Sequence, residues 1–400
     1  MMKLKTLFVT YWRWLATAVF AVAVFCFWLL VLPFLMAARE QVQLFLWHTD
    51  YLMERLAVPG GLAQYLGEFV AQFFLNPVYG ALWYAVILAA IQLLTLRLLP
   101  NRKPISVMLS FVPSCLLWYL ACNPNIPMTP VVAVLLTLVL MNLLPKQPKA
   151  SLIVACVMIP VGYWLLGPAV VLLAVYLLFK GYAVITRPVP LILLAFCVVG
   201  SAWLAPYPLR QIARGIDYYW EKEKLGSFEE MAFDMLMRQQ RWDEMISKYE
   251  QKQTESLAVH NAVQVAMWQQ QRISQQDLMS RVNLDQRALQ NISTAFLMSE
   301  LCMPIGMVNV AQRAAFEAME AIPNYNKSVR ALQRLVETNL VTGNTEVALK
   351  YISLLEQTTF YRNWARKMKD IAQQPALMKQ HPVFKQLKEI YDNGEDMLFY

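Results

Sequence analysis

Among the first 205 residues, every acidic side chain falls between Glu40 and Glu68: Glu40, Asp50, Glu54 and Glu68. On either side lie long apolar runs, and a carboxylate placed in hydrocarbon costs about 3 kcal/mol on insertion scales. The runs on both sides of this short segment are therefore predicted to cross a bilayer. The acids mark a loop that water or protein can reach.

Charge divides the chain at about residue 205. Before it stand 12 Lys+Arg and 4 Asp+Glu; after it stand 23 of each. The excess of positive charge thus belongs to the apolar half, where basic residues set membrane orientation. It does not collect on a soluble face, as it would in a nucleic-acid binder, so nucleic acid is excluded as a partner. An apolar fraction of 58% over 400 residues fits a two-part membrane protein. Residues 1–205 form the expected transmembrane domain, with a first external loop over 39–76, and residues 206–400 the expected soluble domain.

The first span runs from Trp14 to Ala38, preceded by Lys3, Lys5 and Arg13. Its length exceeds a signal-peptide core, so it reads as a retained anchor with its amino end in the cytoplasm. Further spans are Pro77 to Leu96, Ile105 to Ala121 and Ile126 to Leu144, with Arg97, Arg102 and Lys103, then Lys146 and Lys149, on the cytoplasmic side. Ser151 to Phe179 is too long for one straight crossing, and Gly162, Gly167 and Pro168 divide it into two short spans; Pro190 to Ala205 is the last. Seven crossings place residues 206–400 outside the cytoplasm. Counting Ser151–Phe179 as one broken helix gives six and reverses that side. No span carries a charge at mid-depth, which disfavours a coupled transporter. Gln92, Thr95, Ser110, Ser114 and Asn142 are expected to hydrogen-bond between helices.

Within the loop, the mixture of apolar and polar residues from Glu40 to Leu56 predicts a helix lying in the membrane interface. Pro59, Gly60 and Gly61 end it. A second helix has Leu62, Leu66, Phe69, Val70 and Phe73 on one face and Gln64, Glu68 and Gln72 on another. Acids close to lipid head groups can serve as a base or hold a metal-bound phosphate. Glu40 and Asp50 occupy that place; as surface acids they would instead solvate the outer face of these helices.

The architecture of residues 1–205 resembles the GT-C class of polytopic glycosyltransferases, which use lipid-linked sugars and keep catalytic acids in a first external loop. The resemblance implies Asp50 and Glu40 as catalytic acids and a polyprenyl-phosphate sugar as donor. The loop contains no DxD or ExD triplet.

The soluble half reads as all-α, in successive helices. Gly306 marks one turn, with Ala311 and Ala318 at a close helix approach and Pro323 closing the pair; Gly343 marks a second, followed by Ala348, Tyr351 and Leu355. The two glycines are 37 residues apart, and Ala232, Leu236, Trp242 and Tyr249 suggest an earlier unit. These units resemble tetratricopeptide (TPR) repeats, which implies a concave surface for protein partners. His260 and His381 stand apart from other metal-binding side chains, the cysteines form no CxxC or Cys/His cluster, and no cofactor motif occurs. Asn291-Ile-Ser293 and Asn326-Lys-Ser328 match glycosylation acceptors.

The chain also resembles an uncharacterised family of polytopic inner-membrane proteins from Bacteroidota, defined as a domain of unknown function. The likeness is carried by Pro59-Gly60-Gly61-Leu62-Ala63, Tyr65-Leu66-Gly67-Glu68-Phe69, Glu337-Thr338-Asn339-Leu340, Leu354-Leu355-Glu356 and Phe360-Tyr361-Arg362-Asn363-Trp364-Ala365. It implies a bacterial inner membrane and a helical-repeat tail. Members can run longer, so the ending Met397-Leu398-Phe399-Tyr400 leaves the completeness of the chain open. Two functions follow as expectations: a membrane-anchored scaffold that binds proteins through its helical repeats or, alternatively, a lipid-linked glycosyltransferase using Asp50 and Glu40.

Overall fold

The computed structural model describes residues 2–99, 103–179, 187–220, 225–252 and 254–393. Arg102 and the closing Met397-Leu398-Phe399-Tyr400 lie outside them. The described residues form helices and turns, with no strand among them. They divide into two compact units, Met1–Met36 with Thr49–Trp220, and Ala37–His48 with Glu221–Tyr400.

The first unit begins with α1 (Met2–Leu30), followed by α2 (Pro33–Val42), whose first four residues belong here. The expected single run from Trp14 to Ala38 is broken because Pro33 lacks an N–H and its ring would clash in a helix interior; it opens the next helix instead. Then come α3 (Thr49–Leu56), α4 (Gly61–Ala71), α5 (Pro77–Leu98), α6 (Pro104–Ala121), α7 (Thr129–Leu143), α8 (Pro148–Leu166), α9 (Val171–Leu178), α10 (Val189–Leu204) and α11 (Leu209–Arg214). Among the described residues four helical stretches are long and apolar enough to cross a membrane: Trp12–Leu30, Pro77–Leu98, Pro104–Ala121 and Lys149–Leu178. Thr129–Leu143 and Val189–Leu204 are shorter apolar helices. Trp14, Leu116, Ile153, Phe196 and Trp203 are exposed, a surface suited to hydrocarbon.

Lys149–Leu178 is bent at Gly167, whose φ of 72° is open to glycine and strained for other residues. A Cβ built on Gly162 would meet Val170 Cγ2 at 3.4 Å. Residues eight apart along a straight helix are separated by about 12 Å, so the chain turns sharply here. The Tyr218 hydroxyl secures the turn, donating to the Leu166 carbonyl and accepting from Ala169 N–H.

Polar groups tie the spans together. Thr17 Oγ1 donates to Gln92 Oε1 at 2.9 Å, Gln92 Nε2 to Ser110 Oγ at 2.8 Å, and Ser114 Oγ to the Leu88 carbonyl at 2.8 Å. Thr95 instead bonds within its own helix, to Ile91. Trp28 stacks on Tyr84 with ring centres 4.0 Å apart, and α1 packs along α5.

The second unit joins the strap Ala37–His48 to a series of helical hairpins. These are α12 (Phe228–Arg238) with α13 (Trp242–Gln251), α14 (Leu257–Gln269) with α15 (Gln275–Arg281), α16 (Ile292–Cys302) with α17 (Val308–Glu320), and α18 (Val329–Thr342) with α19 (Thr345–Leu355). After them come α20 (Arg362–Gln373), α21 (Pro375–Gln380) and α22 (Pro382–Asp392). Each of the four hairpins turns through one left-handed residue: Gln240, Gln271, Gly306 and Gly343, at φ of 54°, 56°, 84° and 86°. Each turn is closed by the same hydrogen bond from five residues on. The amide of Arg241 donates to Leu236, Arg272 to Met267, Met307 to Cys302, and Asn344 to Asn339, at 2.8–3.0 Å. Glycine at two of these positions is what made the last pairs legible in the sequence. Ala311, Ala318 and Ala348 are fully buried, letting the paired helices approach closely.

Side chains cap these helices. Ser227 with Glu230 and Ser274 with Asp277 form reciprocal capping boxes. Asn291 caps α16 and donates to Glu230 Oε2 at 3.0 Å, while Asn326 is buried. Both asparagines of the glycosylation triplets thus serve the fold.

Candidate functional site

A groove of about 610 Å³ lies within the second unit. Three half-buried tryptophans line it, Trp242 at the start of α13, Trp268 near the end of α14 and Trp364 in α20. Arg238, Arg334, Glu300 and Glu337 also face it. The tryptophans come from three separate elements, so their convergence is a product of hairpin stacking and has no counterpart in local sequence.

The charges of the groove belong to a buried network. Arg330 Nη1 reaches both oxygens of Asp234 at 2.8 Å, and its Nη2 reaches Glu300 Oε2 at 3.2 Å. Its guanidinium lies over the Phe296 ring, 5.0 Å from the centre. One turn along α18, Arg334 contacts the same Glu300 oxygen at 3.0 Å and Glu337 Oε2 at 2.7 Å. Burial alone would raise the Glu300 pKa, but Arg334, Arg330 and Arg238 together hold it down to about 2. Burial raises Glu337, with Arg334 opposing it and the charge of Glu300 adding to the rise. Arg330 and Arg334 are therefore already paired with protein carboxylates, and the groove offers a ligand apolar surface, aromatic in part, with charged groups fixed in place.

The strap residues complete this unit. Leu44 N–H donates to Lys327 at 3.2 Å, Trp47 N–H to Gln357 at 3.1 Å, and the Trp47 indole to Thr359 Oγ1 at 2.8 Å. Arg330 also donates to Gln41 Oε1 at 2.8 Å. The expected interfacial helix from Glu40 to Leu56 is thus two pieces separated by non-helical backbone: α2 ends at Val42 and α3 begins at Thr49. Tertiary hydrogen bonds take the place of helical ones in between.

Glu40 lies in this strap, 3% exposed, and accepts from the Tyr361 hydroxyl at 2.6 Å. Burial raises its pKa, against the pull of Arg238, Tyr361 and Arg330. Asp50 belongs to the first unit. It is exposed in the first turn of α3, where a carboxylate suits the helix dipole. The two candidate acids are thus held by different compact units.

Of the four acids before residue 205, the one buried within the first unit is Glu68. The polar stripe of α4 faces inward: Gln64 and Glu68 are 4% and 0% exposed, while Leu62, Leu66 and Phe69 are half-buried. Gly67 makes this possible, since a Cβ there would come within 3.0 Å of Thr129 N, so α4 can press against α7. Tyr51 donates to Glu68 Oε2 at 2.7 Å, Arg55 Nε to Oε1 at 3.1 Å, and Gln64 Nε2 to Oε1 at 3.0 Å. Burial pushes the carboxyl up to about 7 despite Arg55, and the charge of Asp217 contributes. Asp217 accepts from Thr129 Oγ1 at 2.6 Å and from the Trp220 indole at 3.1 Å. Fully enclosed and saturated with donors, Glu68 has the environment of a structural keystone between α3 and α4.

Among the described residues no group of three His, Cys, Asp or Glu side chains could hold a metal ion. His260 Nδ1 shares a hydrogen bond with the Tyr249 hydroxyl at 2.8 Å, and His381 packs on Phe384 with ring centres 4.8 Å apart at the groove.

No curated protein and no solved structure matches the chain. A family model matches residues 9–400, from within α1 to the end of the sequence: the chain belongs to the family of unknown function DUF6057.

Proposed function

We propose that this protein is a multi-pass anchor in a bacterial inner membrane whose TPR-like second unit binds segments of partner proteins on the periplasmic side. The observation that carries the reading is the groove of about 610 Å³ where Trp242, Trp268 and Trp364 converge. Tryptophans presented from a rigid scaffold are the side chains most often found to dominate protein recognition. Stacked helical hairpins characteristically bind extended or helical peptides on such a surface. The internally paired Arg334, Glu300 and Glu337 favour a ligand recognised by apolar side chains, with charge setting its register. The periplasmic side follows if the chain crosses seven times from a cytoplasmic amino end at Lys3 and Lys5, and the sharp turn at Gly167 supports counting Lys149–Leu178 as two of those crossings.

The test is photo-crosslinking in intact cells from benzoylphenylalanine placed at Gln240 or Gln269. One and the same protein segment should be captured from both positions, and the purified segment should bind at least tenfold more weakly to Trp268→Ala. Adducts that are indifferent to the tryptophan, or no adduct from either position, would remove the reading. Lipid-linked sugar transfer is the second reading, kept because Asp50 is exposed in the first loop. Loss of surface glycan in Asp50→Asn with partner capture intact would favour it.

A further inference from the structure

Helix α22 forms one wall of the groove, and its pattern describes what the hairpin surface beneath it is built to take. Phe384 and Leu387, one turn apart, are each 4% exposed, and Ile390, a further turn on, rests against the turn of the third hairpin. A Cβ at Gly306 would stand only 2.9 Å from Ile390 Cδ1, so the left-handed glycine both makes the turn and leaves room for this side chain. Phe384, Leu387 and Ile390 all line the groove together with the tryptophans, and α22 packs on α18, the helix that carries Arg330 and Arg334. The opposite face of α22 is polar and pairs with itself: Lys385 lies 4.0 Å from Glu389, and Lys388 Nζ donates to Asp392 Oδ1 at 2.6 Å.

This is an amphipathic helix lying with its apolar stripe against the hairpin surface, a recurrent mode of peptide recognition. The fit is incomplete. About 610 Å³ of open groove lies between α22 and the half-buried tryptophans, so α22 leaves the aromatic side of this surface uncovered. A helix of 11 residues is also too short to persist unless it is docked.

We infer that α22 is an internal placeholder, and that the groove's external ligand is an amphipathic helix with bulky apolar residues spaced as Phe384, Leu387 and Ile390 are, which must displace it. The inference rests on the partner-binding reading above and adds to it the class of ligand and an intramolecular competitor. A tethered competitor is present at a local concentration of order millimolar. The apparent affinity for an outside helix scales with the fraction of time that α22 is away, so a surface covered about nine-tenths of the time binds about tenfold too weakly.

The test uses the full chain in lipid nanodiscs and a fluorescein-labelled peptide spanning His381 to Asn393. Fluorescence anisotropy should show at least tenfold tighter binding to the Phe384→Ala/Leu387→Ala double variant than to the wild type, with the gain abolished by adding Trp268→Ala. A peptide carrying alanine at the two positions should not bind either protein. As a route that leaves the packing intact, a protease site inserted beside His381 should raise peptide binding once cut. Equal affinity for wild type, double variant and cut protein, with native melting in each, overturns the inference. If crosslinking captures a partner whose affinity is unchanged when α22 is loosened, only the placeholder fails. If the peptide exchanges with α22 but no partner is captured, the placeholder stands and the partner-binding reading fails.

Discussion

The Tyr361 hydroxyl donates to Glu40 Oε1 at 2.6 Å across a sequence separation of 321 residues. This bond ties the strap that follows the first span to the turn before α20, and it answers a carboxyl that is 3% exposed. Tyr361→Phe leaves Glu40 buried without this donor and should cost about 2 kcal/mol. Glu40→Gln keeps an acceptor for Tyr361 and should cost much less. Thermal melting followed by tryptophan fluorescence ranks the two; an equal loss in both would mean that the carboxylate charge matters more than the hydrogen bond.

Arg55 and Glu68 supply a pH-dependent test in the first unit. The folded pKa of Glu68, about 7, lies above its usual value, so its contribution favours the fold at low pH and is lost as pH rises from about 4.5 to about 7. Arg55→Met removes the neighbouring positive charge, and the carboxyl should then stay protonated to higher pH. The substitution should destabilise by about 3 kcal/mol at pH 8 and clearly less at pH 5. A cost independent of pH would show that packing of the Arg55 side chain on Tyr51, and not its charge, is what matters.

Glu300 acts with the opposite sign. Its folded pKa of about 2 is below the usual carboxylate value, so its stabilisation is complete above about pH 4.5 and is lost as pH falls toward 2. Glu300→Gln should therefore be less stable than wild type at pH 7 and should show a shallower decline between pH 4.5 and 2. Circular dichroism melts across that range measure both slopes, and parallel curves would argue against the ion network as the acid-sensitive element.

The four hairpin turns permit a matched pair of backbone substitutions. Gln271 is exposed and left-handed, so Gln271→Gly should stabilise by about 1 kcal/mol by removing strain at positive φ. Gly343 has the same conformation with nothing within 4 Å of its would-be Cβ. Gly343→Ala should therefore lose about 1 kcal/mol through the backbone alone. Melting temperatures moving in the same direction for both would contradict the shared turn geometry.

Legibility of the fold followed the range of the interactions. Pro77, Pro104 and Ala121 bound helices where apolar runs and proline punctuation place them, because these signals act within a turn of helix. The turns at Gly306 and Gly343 were readable for the same reason, whereas Gln240 and Gln271 carry the same geometry in a residue that gives no sign of it. The stripe of Gln64, Glu68 and Gln72 was periodic and visible, but its direction was not. Outward is the default for polar residues, and Arg55, Tyr51 and Gly67 reverse it. Of the candidate site, Asp50 and Glu40 could be named from their place after a span. The tryptophan groove could not, since its three indoles are brought together only by packing.

The sequence by itself determined that the chain is helical, that its first half carries stretches able to cross a bilayer, and that its charges divide near residue 205. Each of these depends on composition and on periodicities a few residues long. Only the tertiary structure decided that residues 37–48 complete the second unit, that Glu68 is enclosed in the first while Asp50 is exposed, and that α22 lines a groove together with distant tryptophans. Contacts across hundreds of residues are settled by which surfaces fit and which buried charges find partners, and neither leaves a local trace in the order of residues.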